Sequence, residues 1–271
     1  MTVAIVTLTT DFGVRDPYVA EMKAAVLGIT TSVQLVDVTH EVQRHDITEA
    51  ALALEAAVPF FPPGTIHVAV VDPGVGTDRR GIAVESAGHI FIGPDNGLFT
   101  PFVSDPAFRA FELRSEEYRL PIVSRTFHGR DIFAPAAGHV ARGLPPTRLG
   151  PPITDPVKLP WPEVREVAGT VAGAVVHVDR FGNLVTSIHG EAVKALGPNA
   201  AIRIAGRPVP LVTTYADLAT GRVGALLGSQ NRLEVAVREV SAAALLRARR
   251  GTPVLVSRRF PASTRRRLRK D

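Results

Sequence analysis

The sequence predicts an α/β protein with two parts: a mainly parallel sheet with flanking helices, then a small β-barrel-like domain. Strand and helix patterns alternate over the first half, a proline-rich stretch follows, and short strand patterns come after it. Alternation is typical of parallel sheets covered by helices, and short strands with turn signals indicate a barrel or sandwich. We predict an α/β domain at 1–150, a linker at 151–166, a β domain at 167–260 and a basic tail at 261–271.

The first half opens in the order strand, helix, strand, helix, strand. Buried-strand patterns rich in β-branched residues lie at 3–10, 33–39 and 65–71. Helical periodicity separates them at 16–29 and 46–58. This βαβαβ order predicts parallel strands whose carboxyl ends meet at one edge of the sheet.

Both predicted helices carry start signals. Asp16 precedes Pro17 and is expected to cap the first helix, with the proline in its first turn. Asp46 is expected to cap the second helix, and Glu49 three residues later resembles a capping box. Each helix presents an apolar stripe: Val19, Met22, Val26 and Ile29 in the first, and Ile47, Ala51, Leu54 and Val58 in the second.

The remaining elements follow from turn and breaker residues. A hairpin is predicted at 81–93, turning at Ser86-Ala87-Gly88, and a helix at 129–143, with Pro135 bending it or delaying its start. Seven prolines at 144–162 predict a stiff linker without regular structure. The last third contains strand patterns at 169–188, 200–212 and 231–237.

Composition limits the functional classes. The 271 residues are 45% hydrophobic and 21% charged, as in ordinary globular proteins. No cysteine is present, which excludes disulfides and thiolate metal sites. The segment "MTVAIVTLTTDFG" lacks a basic region and a cleavage signal, and no apolar run approaches the ~18 residues of a membrane helix. We therefore expect a cytoplasmic protein without a membrane partner.

The net charge of +5 comes from the end of the chain. Residues 258–271 contain seven basic residues and one acidic residue, which leaves the remainder near −1. A nucleic-acid-binding domain would carry its positive charge in the folded body. The pattern therefore predicts a solvated basic tail and argues against nucleic acid as a partner.

Acidic residues mark the predicted strand ends. Asp11 follows the first strand, Asp37 lies within the second, and Asp72 follows the third in "VVDPGVGTDRR". Ligands of open parallel sheets bind beyond the carboxyl ends of the strands, so Asp11 and Asp72 stand where a site is expected. The alternative is that each aspartate only forms an Asx-turn or a helix cap.

Common cofactor motifs are absent. The segment "GVGTDRRG" lacks the order of a phosphate loop, and neither GxGxxG nor HExxH occurs. None of the eight histidines pairs with carboxylates at metal-ligand spacing. We therefore expect no metal and no cofactor.

Three further polar segments are candidates for the site. In "TFHGRDIF", His128 precedes Gly129, where a backbone approaches a ligand easily. "GPDNGLF" at 93–99 is explained by a tight turn, and "VDRFGNLVTSI" places Asp179 and Asn183 around a bend. The structural alternative for "TFHGRDIF" is a hydrogen-bonded histidine at a helix start, and for "VDRFGNLVTSI" it is a β-hairpin or bulge. These patterns alone name no substrate.

Together the motifs resemble a known family. "TLTTDFG", "DPYVAEMK", "VDPGVGTDRR", "GPDNGL", "TFHGRDIFAPAA" and "VDRFGNLVTSI" occur in this order over nearly the whole chain. This resembles the S-adenosyl-L-methionine (SAM) hydroxide adenosyltransferases, which form adenosine and are related to SAM-dependent fluorinases and chlorinases. The resemblance implies an α/β domain, a β-barrel-like domain, and homotrimers that bind SAM between the N-terminal domain of one subunit and the C-terminal domain of the next.

The resemblance also implies residue roles. Asp11 would grip the ribose hydroxyls, and a catalytic trio would surround the attacking water: Asp72, Arg79 and His128. Further substrate contacts would come from Asp16, Phe127, Gly129, Asp179, Asn183, Ser229, Asn231 and Arg232. The chain departs from the family at 238–240, where Arg-Glu-Val replaces the frequent Asn-Gln-Gly. His45 stands where the halogenating relatives carry a tryptophan.

The implied activity is hydrolysis of SAM to adenosine and L-methionine, with SAM as the substrate and no cofactor. The sulfonium is already a good leaving group, so the catalytic demand falls on the water that attacks C5′. The alternatives are a SAM-dependent 5′-halogenase and a non-catalytic SAM- or adenosine-binding protein. Either Asp72 or His128 could serve as the base.

Overall fold

The computed structural model describes residues 3–167 and 169–258. The chain divides between Trp161 and Pro162 into two compact units, here called the N unit and the C unit. The predicted basic tail at 261–271 lies outside the described residues. The other domain boundaries stay a prediction.

The N unit contains a seven-stranded sheet with the strand order β2-β1-β3-β5-β4-β6-β7. Its strands are β1 (Ala4–Thr10), β2 (Val33–Thr39), β3 (Ile66–Val70), β4 (Gly81–Ser86), β5 (His89–Pro94), β6 (Arg109–Glu112) and β7 (Pro152–Ile153). Strands β2, β1, β3 and β5 are mutually parallel, whereas β4, β6 and β7 extend the sheet in antiparallel pairs. The carboxyl ends of β1 and β3 therefore lie side by side.

Helices cover this sheet. They are α1 (Tyr18–Leu27), α2 (Ile47–Ala57) and α3 (Ala134–Ala141), the last preceded by a π-helical turn at Gly129–Phe133. One buried apolar cluster contains Met22 and Val26 of α1 with Val6 and Leu8 of β1. A second contains Ala50 and Leu54 of α2 with Ala69 and Val71. Because helices cover both sheet faces, the central strands β1 and β3 are buried over most of their length.

The structure confirms the predicted cap of α2 but not the predicted cap of α1. The Asp46 side chain caps α2 by accepting from the Glu49 amide at 2.9 Å, as predicted. The prediction that Asp16 caps α1 is wrong, because Pro17 is itself the cap residue and no side chain caps this helix. Pro135 lies in the first turn of α3, so the α-helix starts late, as one of the two predicted alternatives stated.

The proline-rich stretch packs on the N unit over part of its length. Strand β7 pairs with β6, through Ile153 opposite Ala110. The Val157 amide donates to Asp95, and the Leu159 amide donates to the Thr100 hydroxyl at 2.9 Å. Prolines are tolerated here because β7 is an edge strand.

The C unit is a nearly closed antiparallel sheet. Its strands are β8 (Arg165–Val167), β9 (Thr170–Val178), β10 (Leu184–His189), β11 (Ala201–Ile204), β12 (Arg207–Val209), β13 (Val223–Leu227), β14 (Arg232–Val237) and β15 (Pro253–Ser257). The path runs β12-β11-β15-β9-β10-β14-β13, and a bridge between Leu211 and Ala225 links its two ends. Two short helices, α4 (Gly190–Ala195) and α5 (Ala242–Leu246), complete the unit. The predicted fold class is confirmed.

No helix within residues 3–167 or 169–258 combines the length and the apolar character that a membrane crossing requires.

Candidate functional site

A cavity of about 300 Å³ opens in the N unit beyond the carboxyl ends of β1 and β3. This is the edge at which the sequence predicted a site. The cavity brings together all the predicted N-unit site residues except Arg79, which lies directly behind its wall. Its lining consists of Asp11, Phe12, Asp16, Tyr18, Arg44, His45, Val70, Asp72, Val75, Thr126, Phe127, His128 and Gly129.

Asp72, Arg79 and His128 form one hydrogen-bonded group. The Arg79 Nε donates to both Asp72 carboxylate oxygens at 2.9 and 3.0 Å, and Arg79 Nη2 donates to Asp72 Oδ2. The same Nη2 lies 2.9 Å from His128 Nδ1. The Asp72 and Arg79 side chains are 5% and 11% exposed, so solvent screens their interaction little.

The contact with Arg79 fixes the tautomer of His128. A guanidinium has only donors, so His128 Nδ1 must accept, and a neutral imidazole then carries its proton on Nε2. Burial, followed by the positive charge of Arg79, lowers the pKa of His128. The imidazole is therefore neutral near pH 7 and has an N–H donor at Nε2.

Close packing connects the loops that carry this group. The Arg79 guanidinium stacks over the Phe133 ring, 5.2 Å from its centroid. Gly76 has a φ of +79°, and a side chain there would collide with the Arg125 carbonyl oxygen. Only glycine lets the loop after Asp72 lie this close to the segment that precedes His128.

Asp11 is held by the segment that follows β2. Its Oδ2 accepts from the His45 amide at 2.9 Å, and His45 itself has a φ of +66°. Asp11 Oδ1 has no hydrogen-bond partner among the described residues. One carboxylate oxygen of Asp11 is thus anchored and the other is available beside the cavity.

A chain of polar contacts, buried at Thr10 and His40 and partly exposed at Asp37 and Lys23, supports the turn that carries Asp11. Thr10 Oγ1 lies 2.8 Å from His40 Nδ1, and His40 Nε2 lies 3.0 Å from Asp37 Oδ1. Lys23 donates to Asp37 at 2.6 Å. Burial raises the pKa of Asp37, but the hydrogen bonds from Lys23 and His40 outweigh it and lower the pKa overall. Asp37 therefore supports the site indirectly.

Three aromatic rings form one wall of the cavity. Phe12, Tyr18 and Phe127 contact one another edge to face at centroid distances of 5.4 to 5.9 Å. Arg130 stacks over Phe127 and donates to Asp131, whose side chain is fully buried. The wall is aromatic, which suits the flat face of a base.

Gly129 packs against protein. A Cβ there would lie 3.2 Å from Met22 Sδ and 3.3 Å from the Phe127 ring. The missing side chain thus brings the π-helical turn close to α1, in addition to exposing backbone to the cavity.

The segment "GPDNGL" supports the site through the end of β3. Asp95 accepts from Arg80 Nε at 2.9 Å, and Asn96 donates to the Val71 carbonyl oxygen at 2.9 Å. Val71 directly precedes Asp72, so Asn96 holds the end of the strand in place where the loop that carries Asp72 begins. The neighbouring residues Arg79 and Arg80 thus bind different carboxylates, Asp72 and Asp95 respectively.

The C unit has its own cavity of about 590 Å³. Of the predicted residues, Asp179, Asn183, Ser229 and Arg232 line it. Asn231 does not, because its side chain donates to Glu191 at 2.5 Å. The exposed ring of Phe181 stands at the edge of this cavity.

Asp179 is engaged by its own loop. Its Oδ1 accepts from the amides of Phe181 and Asn183 at 2.9 and 2.8 Å. Its Oδ2 accepts from the Asn183 side chain at 2.9 Å. This geometry is the turn-forming role that the sequence left open as an alternative.

Sequence reasoning missed one pair in this cavity. The Tyr215 hydroxyl donates to Glu234 Oε1 at 2.5 Å, and both residues line the cavity. Burial raises the pKa of Glu234, with a further contribution from the charge of Asp179. A glutamate between Leu233 and Val235 in a strand pattern was the available signal.

No cluster of three or more metal-ligating side chains occurs within the described residues.

Comparison with known proteins identifies the family of this chain. Sequence models of the SAM hydroxide adenosyltransferase N-terminal and C-terminal domains match residues 6–150 and 173–255. The chain belongs to the SAM hydroxide adenosyltransferase family. The predicted resemblance is confirmed, and each of the family's two domains falls within one of the two structural units.

Curated relatives of this chain include enzymes named (R)-S-adenosyl-L-methionine hydrolase. The protein from Thermus thermophilus is 40% identical over 90% of this chain and 96% of its own length. The protein from Salinispora tropica is 37% identical over 89% and 93%. More distant relatives are named fluorinase, such as that of an Actinoplanes species at 28% identity over 81% and 85%.

Solved structures share the fold of this chain. An uncharacterized conserved protein from Thermotoga maritima superimposes with a TM-score of 0.88 at 32% identity, covering 94% of this chain and 100% of the other. A conserved hypothetical protein from Thermus thermophilus gives a TM-score of 0.77 at 38% identity, over 93% and 99%.

Proposed function

We propose that this protein hydrolyses SAM to adenosine and L-methionine by in-line attack of water on ribose C5′. The observation that carries the proposal is the hydrogen-bonded group of Asp72, Arg79 and His128 at the N-unit cavity. Relatives named (R)-S-adenosyl-L-methionine hydrolase, at 35–40% identity over most of the chain, support the same activity.

The step that needs catalysis is the activation and positioning of the attacking water, because the sulfonium is already a good leaving group. A C5′–O bond forms while the C5′–S bond breaks, the sulfur takes the bonding electron pair, and methionine leaves as a neutral thioether. Water must lose one proton during the attack. Holding the water in line supplies several kcal/mol of the barrier, and a general base adds about 10²–10⁴-fold.

We assign the base to Asp72 and the orienting donor to His128. With Nδ1 accepting from Arg79, neutral His128 offers a proton at Nε2 and no lone pair there. It can therefore hold the water oxygen but cannot take its proton at Nε2. Asp72 is a carboxylate, and hydrogen bonds from Arg79 fix its geometry.

The N-unit cavity suits the nucleoside end of SAM. Asp11 has one carboxylate oxygen available for the ribose hydroxyls. The ring of Phe127 supplies an apolar face, and Gly129 supplies backbone. The carboxylate of Asp16 favours the sulfonium charge at the same cavity. We propose these four residues as substrate contacts.

We also propose a homotrimer in which each site joins the N unit of one subunit to the C unit of the next. The cavities offer complementary chemistry: the first has the nucleophile-activating group, and the second has Asn183, Ser229 and Arg232. In a trimer the second subunit would cover the site and exclude water, which strengthens the interactions of Asp72 with Arg79.

Product analysis tests the activity. The protein is incubated with SAM, with and without chloride or fluoride, and the products are separated by chromatography. We expect adenosine and L-methionine in equal amounts under all conditions. Binding of SAM without adenosine release would instead indicate a non-catalytic SAM-binding protein.

The second candidate is a 5′-halogenase, because the fluorinase relatives cover most of this chain. A halide needs a small desolvated pocket with neutral donors and no competing base. Asp72 beside His128 favours water, and His45 stands where the resemblance places a tryptophan in halogenating relatives. A 5′-halo-5′-deoxyadenosine product would select this candidate and contradict hydrolysis.

A further inference from the structure

The loop that joins β3 to β4 is held at both ends by one turn. At its start, the Asn96 side chain donates to the Val71 carbonyl oxygen at 2.9 Å. At its end, the Asp95 amide donates to the Arg80 carbonyl oxygen at 2.9 Å, and the Asp95 carboxylate accepts from Arg80 Nε at 2.9 Å. Two neighbouring residues of the turn after β5 thus fix the entry and the exit of this loop.

Both fixed points lie next to the hydrogen-bonded group of the N-unit cavity. Asp72 directly follows the first point, and Arg79 directly precedes the second. Arg79 Nη1 also lies 3.5 Å from the carbonyl oxygen of Arg80, the same oxygen that the Asp95 amide binds. Arg80 is held by its backbone and by its side chain, so the backbone from which Arg79 extends cannot shift independently of Asp95.

Asp95 is buried beneath the segment that follows β7. Its side chain is 2% exposed, and both carboxylate oxygens are used, because Oδ1 accepts from the Val157 amide at 2.8 Å while Oδ2 accepts from Arg80. Leu159 of the same segment packs against Gly97, where an added Cβ would lie 2.5 Å from it. Solvent screens a buried ion pair little, so Asp95 holds Arg80 more strongly than an exposed carboxylate could.

Arg80 has a second carboxylate partner that is not buried. Its Nη1 donates to Asp155 Oδ1 at 2.9 Å, but the Asp155 side chain is 76% exposed. Arg80 Nη2 also donates to the Asp155 carbonyl oxygen, a contact that a change of side chain leaves in place. Exposed ion pairs contribute little. The two carboxylates of Arg80 therefore provide a matched comparison within one network.

We propose that Asp95 is a positioning residue for the hydrolysis, which holds, through Arg80, the backbone that directs Arg79 at Asp72 and His128. Asp95 acts at a distance, since the lining of the N-unit cavity contains neither Asp95 nor Arg80. This inference rests on the proposed function for the role of the hydrogen-bonded group. The competing explanation is that the buried pair only stabilises the N unit.

The kinetic test compares Asp95→Asn with Asp155→Asn. In Asp95→Asn we expect kcat to fall roughly 10- to 100-fold, as a displacement of about 1 Å near the reacting atoms can cause. The Kd for SAM, measured by calorimetry, should stay within about 2-fold, because Asp95 does not line the cavity. Asp155→Asn should keep kcat within about 2-fold. Equal effects of the two variants on kcat, or a loss of SAM binding equal to the loss of kcat, would overturn the proposal.

A double-mutant cycle tests whether Asp95 acts through Arg80. The ion pair is already absent in Arg80→Gln, so the further change Asp95→Asn is expected to lower kcat by less than about 2-fold. Multiplicative effects of the two changes would overturn the route through Arg80. Thermal melting gives the folded fraction of each variant, and kcat is compared per folded protein.

The titration of the His128 imidazole, followed by NMR without substrate, separates positioning from stability. The charged groups that act on this imidazole are Arg79, Asp72, Asp131 and Arg119. Burial, followed by the charge of Arg79, lowers the pKa of His128. If Asp95→Asn displaces Arg79, the pKa of His128 should rise toward 6.5, whereas a loss of stability alone leaves the pKa in the folded protein unchanged. Arg80→Gln alters a side chain that is 28% exposed and should give the same rise, which keeps the test available if Asp95→Asn does not fold.

The same titration distinguishes failure of this proposal from failure of the proposed function. A raised pKa of His128 in Asp95→Asn, in a protein that does not hydrolyse SAM, would support the control of Arg79 by Asp95 while contradicting hydrolysis. An unchanged pKa of His128 in both variants of an active protein would overturn the positioning role and leave hydrolysis in place.

Discussion

At the scale of single residues, the account depends on the direction of hydrogen bonds around Arg79. Its guanidinium donates to Asp72 on one side and to His128 Nδ1 on the other. Because a guanidinium cannot accept, the histidine becomes a donor at Nε2, and the carboxylate is the remaining proton acceptor. Two variants follow from this assignment.

The substitution Asp72→Asn removes the proposed base with little change in shape. We expect kcat to fall about 10²–10⁴-fold, while the Kd for SAM measured by calorimetry stays within a few-fold. Asp78→Asn is the matched control, because Asp78 is an exposed carboxylate in the same loop. A loss of SAM binding equal to the loss of turnover would contradict a catalytic role.

The pH profile of His128→Asn tests the orienting role. Asparagine can accept from Arg79 and donate to water but does not titrate, so we expect this variant to keep more activity than Asp72→Asn. Burial lowers the pKa of His128 below its ordinary value of 6.5, so the imidazole stays neutral at pH 6.5 and protonates only at lower pH. The fall of log(kcat/KM) at low pH should therefore depend on one proton fewer in the variant than in the unchanged protein. Activity of His128→Asn as low as that of Asp72→Asn would contradict the assignment of His128 as an orienting donor only.

Individual site residues were predictable where a strand end marked them. Asp11 and Asp72 follow buried strands, and the sheet edge where parallel strands end is a known site for ligands. The pairing of Glu234 with Tyr215 was not predictable, because the two residues are 19 positions apart and only the fold brings them together. The sequence also could not show that the hydrogen bonds of the Asp179 carboxylate come from its own loop. An aspartate that contacts a ligand and one that forms an Asx-turn look alike in sequence.

At the scale of elements, the site is carried by two loops packed against each other. The loop after β3 holds Asp72, and the segment before the π-helical turn holds His128. Gly76 is the contact point, since its positive φ and the Arg125 carbonyl oxygen leave no room for a side chain.

Gly76→Ala should therefore separate these loops. We expect it to lower both kcat and the free energy of unfolding, the latter by more than the roughly 1–2 kcal/mol of a left-handed alanine. Gly64→Ala is the control, because Gly64 has a similar φ of +86° but nothing within 4 Å of the added Cβ. It should show only the backbone cost in urea unfolding and unchanged kcat. Equal behaviour of the two variants would contradict the packing role of Gly76.

The regular elements of the N unit were predicted closely, because periodicity and caps are local signals. Strand β2 has the predicted bounds of 33–39, and the hairpin of β4 and β5 turns at Ala87 and Gly88, both with positive φ. Strands β6 and β7 were missed. Both are short, β7 is the edge strand and contains proline, and their pairing depends on the sheet already formed.

At the scale of the whole molecule, the proposed trimer predicts complementation between subunits. A variant defective in the N unit, Asp72→Asn, is unfolded and refolded together with one defective in the C unit, Arg232→Ala. If each site joins the N unit of one subunit to the C unit of another, mixed trimers contain some fully intact sites and regain activity. Light scattering should give a mass three times the chain mass of 28.9 kDa. Absence of activity in mixtures shown to be mixed oligomers would contradict shared sites.

The central claim, attack of water on C5′, is tested most directly by isotope labelling. The protein is incubated with SAM in water enriched in ¹⁸O, and the adenosine formed is examined by mass spectrometry. The account predicts one ¹⁸O atom per adenosine, located at the 5′ oxygen, and none in L-methionine. Adenosine without the label, or a product that carries a halogen at C5′, would contradict it.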